Sequence, residues 1–168
     1  MTDDKTPVTR TDPITGDVLR IDIEEIEKPS HADAAALLAY WHDCRRSGGF
    51  AMVRNVPSKA IAHLMKHLVV LEPLPGDFKY RLVGNILIQR LGRDVTGMAI
   101  SEVFDPAPAQ SLNAGAQKVL DTDAPVFQRL HVRTSFGETR RPELVLLPMT
   151  SPDGKERLVL VGVFYHET

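Results

Sequence analysis

The glycine-rich stretch between Tyr80 and Met98 holds the residues best suited to chemistry, because backbone amides beside glycines can bind phosphate. Its sequence is YRLVGNILIQRLGRDVTGM, with glycines at positions 84, 92 and 97. This spacing differs from the G-x-G-x-x-G pattern of dinucleotide-binding loops, and no lysine occupies the position that a P-loop requires. We therefore predict structural roles, in which Gly84 ends a strand at a sharp or crowded position and Gly92 ends a short helix. Arg93 stays a candidate anchor for an anionic ligand.

The remaining histidine and serine residues predict neither a metal centre nor a hydrolytic site. His63 and His67 lie four residues apart, a spacing that can bind a metal from one helix face. No nearby Asp, Glu or Cys completes that ligand set. Ser101 and Ser111 lack the nucleophile-elbow sequence of hydrolases. We therefore expect a chain that is not an enzyme and that holds no metal.

Composition and charge exclude further classes of function. The 168 residues carry a formal net charge of −2, which does not predict a nucleic-acid surface. The single cysteine, Cys44, can form neither an internal disulfide nor a multi-cysteine metal site. No apolar run is long enough for a membrane span, and the polar N-terminus lacks the apolar region of a secretory signal. The sequence thus predicts a cytoplasmic protein with no nucleic-acid partner and no membrane span.

Two regions are predicted before the core. Residues 1–29 are predicted to be a flexible N-terminal tail, within which VLRIDIEEI alternates and gives either a short strand or an acidic linker. The segment SHADAAALLAYWHDCRRSGG predicts an amphipathic helix that is capped by Ser30 and Asp33 and ends at its glycines. With a second helix that starts near Pro57, it forms an N-terminal helical extension over residues 30–66.

Residues 67–166 are predicted to form the core. LVVLEPL and FKYRLV give two strands joined by a Pro-Gly-Asp turn, followed by short helices and the longer helix PAQSLNAGAQKVLDT. VFQRLHVRT, RPELVLLPM and RLVLVGVFY give three further strands, the last two joined by the turn SPDGKE. RLVLVGVFY is apolar on both faces, as in a strand that is covered from both sides. The predicted class is therefore α+β, with the middle helices on one sheet face and the N-terminal amphipathic helix on the other.

Five segments carry a family resemblance: LLAYWHDCRRSG, HLVVLEP, YRLVGNILIQRLGRDVTG, VFDP and LVLVGVFY. Together they span about residues 34–165 and resemble a PAS domain, more narrowly the free-standing bacterial PAS subfamily with an N-terminal Tyr-Trp helix. The resemblance implies a five-stranded antiparallel sheet, short helices on one face and a cavity between them. It also implies signalling by sensing small molecules, by dimerising or by docking partners. The family usually has a Pro-Arg dipeptide after the first helix, where this chain has Arg54 and the helix at Pro57.

The resemblance also bears on cofactors. Flavin-binding members of the group use a reactive cysteine in the segment that matches Asn85–Leu91, and this segment contains none. Haem-binding members usually supply a histidine from the longer helix, here Ala107–Leu120, which also contains none. Cys44 lies in the N-terminal helix and His131 on a predicted strand. The resemblance therefore argues against covalent flavin and against haem, and the cofactor stays unknown.

The cavity implied by the fold would lie between the middle helices and the inner sheet face. Its candidate ligand contacts are Leu82, Ile86, Leu91, Arg93, Met98, Phe104, Leu112, Val145 and Leu147. A candidate homodimer surface joins the N-terminal helix to one face of the last strand, through Ala34, Leu37, Trp41, Val159, Val161 and Val163. The same helix could instead cover its own sheet, and the two interpretations stay open.

The sequence and the resemblance together predict a non-enzymatic module of bacterial signal transduction, which senses a small ligand, binds another protein, or does both. No segment is typical of a kinase, a cyclase or a DNA-binding domain, so the signal is expected to pass through a second protein. The expected partners are a homodimer copy, an unidentified signalling protein and a small apolar ligand. Two alternatives stay open: a structural dimerisation adaptor, and a small-molecule carrier or enzyme that uses the cavity.

Overall fold

An antiparallel sheet with helices on both faces organises the part of the chain that the structure describes. The computed structural model describes residues 11–12, 16–46, 62–134, 137–151 and 153–166. In chain order, the elements are β1 (Thr11–Asp12), β2 (Gly16–Ile26), α1 (Ala32–Arg46), a 3-10 helix (Ala62–His67), β3 (Leu68–Leu74), β4 (Asp77–Val83), α2 (Asn85–Leu91), α3 (Ile100–Val103), α4 (Pro106–Thr122), β5 (Val126–Thr134), β6 (Gly137–Arg140), β7 (Glu143–Thr150) and β8 (Arg157–Phe164). Arg54 and the predicted helix start at Pro57 lie outside the described residues.

Within the described residues, the sheet contains eight strands in the order β1-β2-β5-β7-β8-β3-β4, with β6 paired to β5. Every strand pair is antiparallel. The five predicted strands, β3, β4, β5, β7 and β8, are neighbours in this order, which confirms the α+β class and the antiparallel core. The short strands β1 and β6, together with β2, raise the strand count above the predicted five.

Strand β2 lies in the segment that the predicted boundary at residue 29 placed in the N-terminal tail. It pairs with β5 from Val18 to Ile26, so VLRIDIEEI forms a strand and not an acidic linker. Alternation explains the pairing, because Ile21 and Ile23 pack against the core while the residue between them is exposed. Of the two structures that the sequence allowed for this segment, the strand is the one observed.

Alternation along β7 and β8 divides the apolar core into two layers, one on each face of the sheet. The inner layer lies under α2, α3 and α4 and contains, from these strands, Leu144, Leu146, Val159, Val161 and Val163. The outer layer lies under α1 and contains, from the same strands, Val145, Leu147, Leu158 and Leu160. Because both faces are covered, β8 is buried at every position after Arg157, as its sequence predicts.

Helix α1 covers its own sheet with the apolar stripe that the sequence predicts. Ala34, Leu37 and Trp41 are buried in the outer layer. The indole Nε1–H of Trp41 donates to the carbonyl of Pro148 in β7 at 3.0 Å. Of the two interpretations that the sequence left open for this stripe, intramolecular cover is therefore the one observed.

The predicted homodimer surface is corrected by this packing. Val159, Val161 and Val163 lie in the inner layer, on the sheet face opposite to α1, whereas the three helix residues lie in the outer layer. The six residues therefore do not share a face, and all of them are buried within the chain. Homodimerisation itself stays a prediction, but these residues do not supply its surface.

Gly84 joins β4 to α2 at a point where two backbone segments come close together. An added Cβ would lie 2.4 Å from the carbonyl oxygen of Lys66 and 2.9 Å from that of Leu68. The Gly84 N–H donates to the Leu68 carbonyl at 2.8 Å. Its φ of −74° is open to any residue, so close approach, and not an unusual dihedral, requires glycine here.

The variant Gly84→Ala is expected to lower the free energy of unfolding by about 2 kcal/mol, because its methyl group collides with backbone that cannot rotate away. Gly76→Ala is the matched control, since Gly76 lies in an exposed turn with a φ of +70° and open space around it. The control is expected to lose about 1 kcal/mol from the left-handed dihedral alone. Urea denaturation measures both losses, and equal values would contradict the close-approach explanation.

Candidate functional site

A cavity of about 90 Å³ lies in the inner layer, between the sheet and helices α2, α3 and α4. The sheet and the residues beside it contribute Ile21, Val69, Leu71, Tyr80, Leu130, Val132, Pro142, Leu144, Leu146, Val161, Val163 and Tyr165. The helices and their ends contribute Leu87, Arg90, Leu91, Ile100, Phe104 and Leu112. The wall is therefore almost entirely apolar, and Arg90 is the only charged residue among its described members.

Three of the nine predicted contact residues line this cavity: Leu91, Phe104 and Leu112. Val145 and Leu147 lie instead in the outer layer, with the residues of α1. The prediction for β7 was therefore wrong by one residue. Leu144 and Leu146, and not Val145 and Leu147, face the cavity.

A β-bulge removes Leu82 from the cavity wall. In the pairing of β3 with β4, Tyr80 and Leu82 pair with successive residues of β3, so Arg81 is the extra residue. The buried positions Phe78 and Tyr80 alternate as predicted, but the bulge interrupts the alternation before Leu82. Leu82 is 47% exposed on the edge strand, which corrects its assignment to the pocket.

The remaining predicted contacts also lie outside the cavity. The cavity face of α2 carries, at helical spacing, Leu87, Arg90 and Leu91. Ile86 therefore lies on another face of this helix and is half-buried, and Arg93 follows the end of the helix and is exposed. Met98 packs against the inner layer without lining the cavity. These positions correct the predictions for Ile86, Arg93 and Met98.

The cavity wall also contains residues that are absent from the predicted contacts, among them Ile21, Tyr80 and Arg90. Alternation in VLRIDIEEI is the sequence signal for Ile21, and alternation with Phe78 is the signal for Tyr80. Arg90 follows Leu87 by three residues, a spacing that places both on one helix face. Because Arg90 is charged, its spacing from Leu87 does not by itself predict a position on an apolar cavity wall.

Arg90 brings a guanidinium to this apolar wall. Its Cζ lies 4.4 Å from the centroid of the Tyr165 ring, within the range of a cation–π contact. Its Nη1 is buried and has no hydrogen-bond partner. A buried donor that has lost water without gaining a partner costs about 1–3 kcal/mol. Arg90 thus places an unpaired buried donor on a residue of the cavity wall.

Asp77 ties the strand that carries Tyr80 to the helices above the cavity. Its carboxylate accepts hydrogen bonds from the Phe78 N–H at 2.8 Å, the Ser101 hydroxyl at 2.5 Å and the Asn113 amide at 3.0 Å. Burial alone would raise the pKa of Asp77, but these hydrogen bonds lower it. Burial and the nearby Asp77 charge raise the pKa of Tyr80 well above its usual value, so a neutral phenol lines the cavity.

A second polar centre, the fully buried carboxylate of Glu143, joins the N-terminal end of α1 to the sheet. It accepts hydrogen bonds from the backbone N–H groups of Ser30 and His31, each at 2.9 Å, and from Arg129 Nη2 at 3.1 Å. The Ser30 hydroxyl also donates to it, which corrects the predicted cap. The Asp33 N–H in the first turn donates instead to His31 Nδ1 at 3.0 Å. These bonds fix α1 on the sheet, and Arg129 balances the buried charge.

His63 and His67, the candidate metal pair, lie in different surroundings. His63 Nε2 is 3.8 Å from a carboxylate oxygen of Asp33, whereas His67 Nδ1 is hydrogen-bonded to the Val163 carbonyl at 2.9 Å. Burial lowers the pKa of His67 despite this bond, which favours the neutral ring. Within the described ranges, no group of three or more His, Cys, Asp or Glu side chains could hold a metal ion.

A family model described as PAS domain matches residues 29–164, well over half of the chain. The chain belongs to the PAS domain family. This PAS domain is thus, in general terms, a signalling or sensing module, and the resemblance inferred from the sequence is confirmed at the level of the family. The narrower grouping with free-standing bacterial members stays a prediction. A comparison with curated proteins gave no match.

Strand β2 precedes the matched range of this PAS domain, which begins at residue 29. The strand pairs with β5 and contributes Ile21 to the cavity wall. Lys118 in α4 also forms an ion pair with Glu25 in β2, at 2.7 Å. The N-terminal strand is therefore part of the structure that encloses the cavity.

In the part of the chain that the structure describes, no helix of this PAS domain is both long and apolar enough to cross a bilayer.

Proposed function

We propose that this PAS domain is a non-enzymatic signalling module that binds a small ligand in the inner-layer cavity and passes its occupied state to another protein. The cavity of about 90 Å³ carries the proposal. Protein interiors are close-packed and contain few voids larger than a water molecule. An empty apolar cavity of this size destabilises a fold by about 2 kcal/mol, at roughly 24 cal/mol per Å³. A bound ligand would offset this loss.

The cavity wall supports a ligand that is small and mainly apolar. Every described lining residue except Arg90 has an apolar or aromatic side chain. An apolar cavity of roughly 150 Å³ is able to bind benzene, and the present cavity is somewhat smaller, at about 90 Å³. The favoured occupant therefore has an apolar body of a few carbon atoms.

Tyr165 supports a relay from the cavity to the N-terminal end of α1. Its side chain lines the cavity beside Arg90, and its backbone carbonyl accepts a hydrogen bond from His31 Nε2 at 3.2 Å. The backbone N–H of His31 donates in turn to Glu143. A ligand that displaced Tyr165 would thus alter how α1 is held on the sheet, and a partner that contacts α1 would detect the change.

Benzene is the probe for the apolar part of the cavity. In an NMR titration of the full-length chain, benzene is expected to shift the backbone amide signals of residues around the cavity. Val161→Phe fills the cavity from β8 and is expected to abolish these shifts. Leu82→Phe is the matched control, because it places the same ring on the exposed edge strand and is expected to leave benzene binding intact.

Native mass spectrometry of the protein purified from cells identifies a natural occupant. A copurified small molecule that is absent from Val161→Phe supports sensing or carriage. A wild type that carries no molecule and binds no benzene would overturn the proposal and favour the dimerisation adaptor. Turnover of a bound molecule would favour the enzyme alternative. The cytoplasmic location expected from the sequence stays a prediction.

A further inference from the structure

We propose that the cavity binds a small organic carboxylate, whose apolar body fills the cavity and whose carboxylate accepts a hydrogen bond from Arg90 Nη1. This inference rests on the proposed function, because it names the ligand class of the same cavity. In the described part of the chain, buried side-chain atoms without a hydrogen-bond partner occur on Arg90, Asn113 and Gln128. Of these residues, Arg90 alone lines the cavity. Arg90 is therefore the wall residue that carries an unpaired donor, its Nη1.

The charge of Arg90 lacks a counter-charge in the cavity wall. The described lining residues include no Asp and no Glu. The Tyr165 ring stabilises the cation through its face, but it does not replace a conventional acceptor for Nη1. Guanidinium groups form short, charge-assisted hydrogen bonds with carboxylates. An anionic acceptor is therefore favoured over a neutral one such as an alcohol.

The composition of the wall favours a carboxylate over a phosphate. A phosphate monoester carries close to two negative charges near neutral pH and three acceptor oxygens. The described wall offers one cation, Arg90, the neutral phenol of Tyr80 and the side chain of Tyr165, in otherwise apolar surroundings. A monocarboxylate with a short apolar chain matches this single charge without burying a second one.

Butanoate and 1-butanol form the matched pair of probes, since they share a carbon chain and differ in charge. In NMR titrations of the full-length chain, the wild type is expected to bind butanoate at least about tenfold more tightly than 1-butanol. Arg90→Met keeps a long apolar side chain and is expected to bind both probes equally. Arg90→Lys retains a charge without the planar guanidinium, and it is expected to keep part of the preference.

Arg93→Met is the control for general loss of positive charge. Arg93 lies three residues after Arg90, is exposed and does not line the cavity, so this variant is expected to leave both affinities unchanged. A loss of butanoate preference in Arg93→Met equal to that in Arg90→Met would overturn the assignment to Arg90.

Binding measurements on the wild type alone distinguish a failure of the carboxylate proposal from a failure of the proposed function on which it rests. Equal affinities for butanoate and 1-butanol would overturn the carboxylate proposal and leave ligand sensing in place. Binding of neither probe, together with no copurified molecule and no benzene binding, would overturn both. Retained 1-butanol binding in Arg90→Met shows that the cavity is intact, so a loss of butanoate preference there supports the role of Nη1.

Discussion

Replacing Glu143 by glutamine is expected to lower the free energy of unfolding by about 3 kcal/mol near neutral pH. The carboxylate is fully buried and accepts hydrogen bonds from the N–H groups of Ser30 and His31 at 2.9 Å and from Arg129 at 3.1 Å. A glutamine side chain keeps one acceptor oxygen but brings its NH₂ group against these donors. It also leaves the Arg129 charge without this ion-pair partner. The variant therefore weakens the attachment of α1 to the sheet.

The pH dependence of this difference identifies the charge as its source. Burial alone would raise the pKa of Glu143, but the hydrogen bonds from Ser30, His31 and Arg129 lower it from its ordinary 4.5 to about 2. A carboxylate whose pKa is lowered by folding stabilises the fold fully above its unfolded pKa, and this stabilisation is lost as the pH falls through the folded pKa. The difference in free energy of unfolding between wild type and Glu143→Gln should therefore be constant down to about pH 4.5 and disappear between pH 4.5 and about 2.

Glu156→Gln is the matched control for a carboxylate in an exposed ion pair. Glu156 lies 2.6 Å from Arg81 and is 49% exposed, and exposed ion pairs contribute less than about 1 kcal/mol. Urea unfolding followed by circular dichroism measures this difference in free energy of unfolding for each variant across the pH range. Two results would show that the buried charge does not hold α1. One is a loss in free energy of unfolding for Glu143→Gln that is no larger than the loss for Glu156→Gln. The other is a loss for Glu143→Gln that persists unchanged below about pH 2.

Local sequence signals predict the elements of the core. The turn SPDGKE and the alternation in FKYRLV act within a few residues of the chain, and the strands that they predict are β4, β7 and β8. The helical spacing of Ala34, Leu37 and Trp41 likewise predicts the buried stripe of α1. The same pattern does not say whether the stripe covers its own sheet or a second copy, because both require the same apolar residues.

The sheet face on which each residue of β7 and β8 lies depends on distant contacts. Val159 and Leu160 are both apolar, so alternation of hydrophobicity gives no preference for either face in a strand that is covered on both sides. The choice is fixed where α1 docks, for example by the bond between Trp41 and Pro148, which lie 107 positions apart. This is why Val145 is assigned to the cavity from the sequence and lies under α1 in the structure.

The cavity wall shows the same dependence on long-range structure. Ile21 reaches the cavity because β2 pairs with β5, where Ile21 lies opposite Val132. Arg90 has the helical spacing of a wall residue, but charged side chains are mostly exposed. Its position was therefore not predictable from apolar patterning. The residue that departs from the pattern is the one on which the carboxylate proposal depends, as expected where function requires an unpaired polar group.

Replacing Trp41 by alanine is expected to lower the free energy of unfolding by about 4 kcal/mol, the largest single effect predicted for this chain. The side chain is 3% exposed in the outer layer, and its Nε1–H bond to the Pro148 carbonyl joins α1 to β7. The Arg45 guanidinium lies 4.8 Å from the ring centroid. Alanine would leave a cavity and a carbonyl without its donor. Trp41→Phe keeps most of the aromatic volume and is expected to lose about 1–2 kcal/mol, mainly for the missing N–H bond.

The protein concentration at which these variants are unfolded distinguishes packing from dimerisation. Because the Trp41 ring is buried by its own chain, the differences in midpoint between wild type, Trp41→Ala and Trp41→Phe should not change with protein concentration. A dimer held through α1 would instead give a wild-type midpoint that rises with concentration, because association stabilises the folded subunit by mass action. If this rise were absent in Trp41→Ala, the result would show that α1 forms the dimer interface, as one interpretation of its sequence suggested. If the variants differ from wild type by the same midpoint shift at low and high protein concentration, Trp41 acts through the contact between α1 and its own sheet.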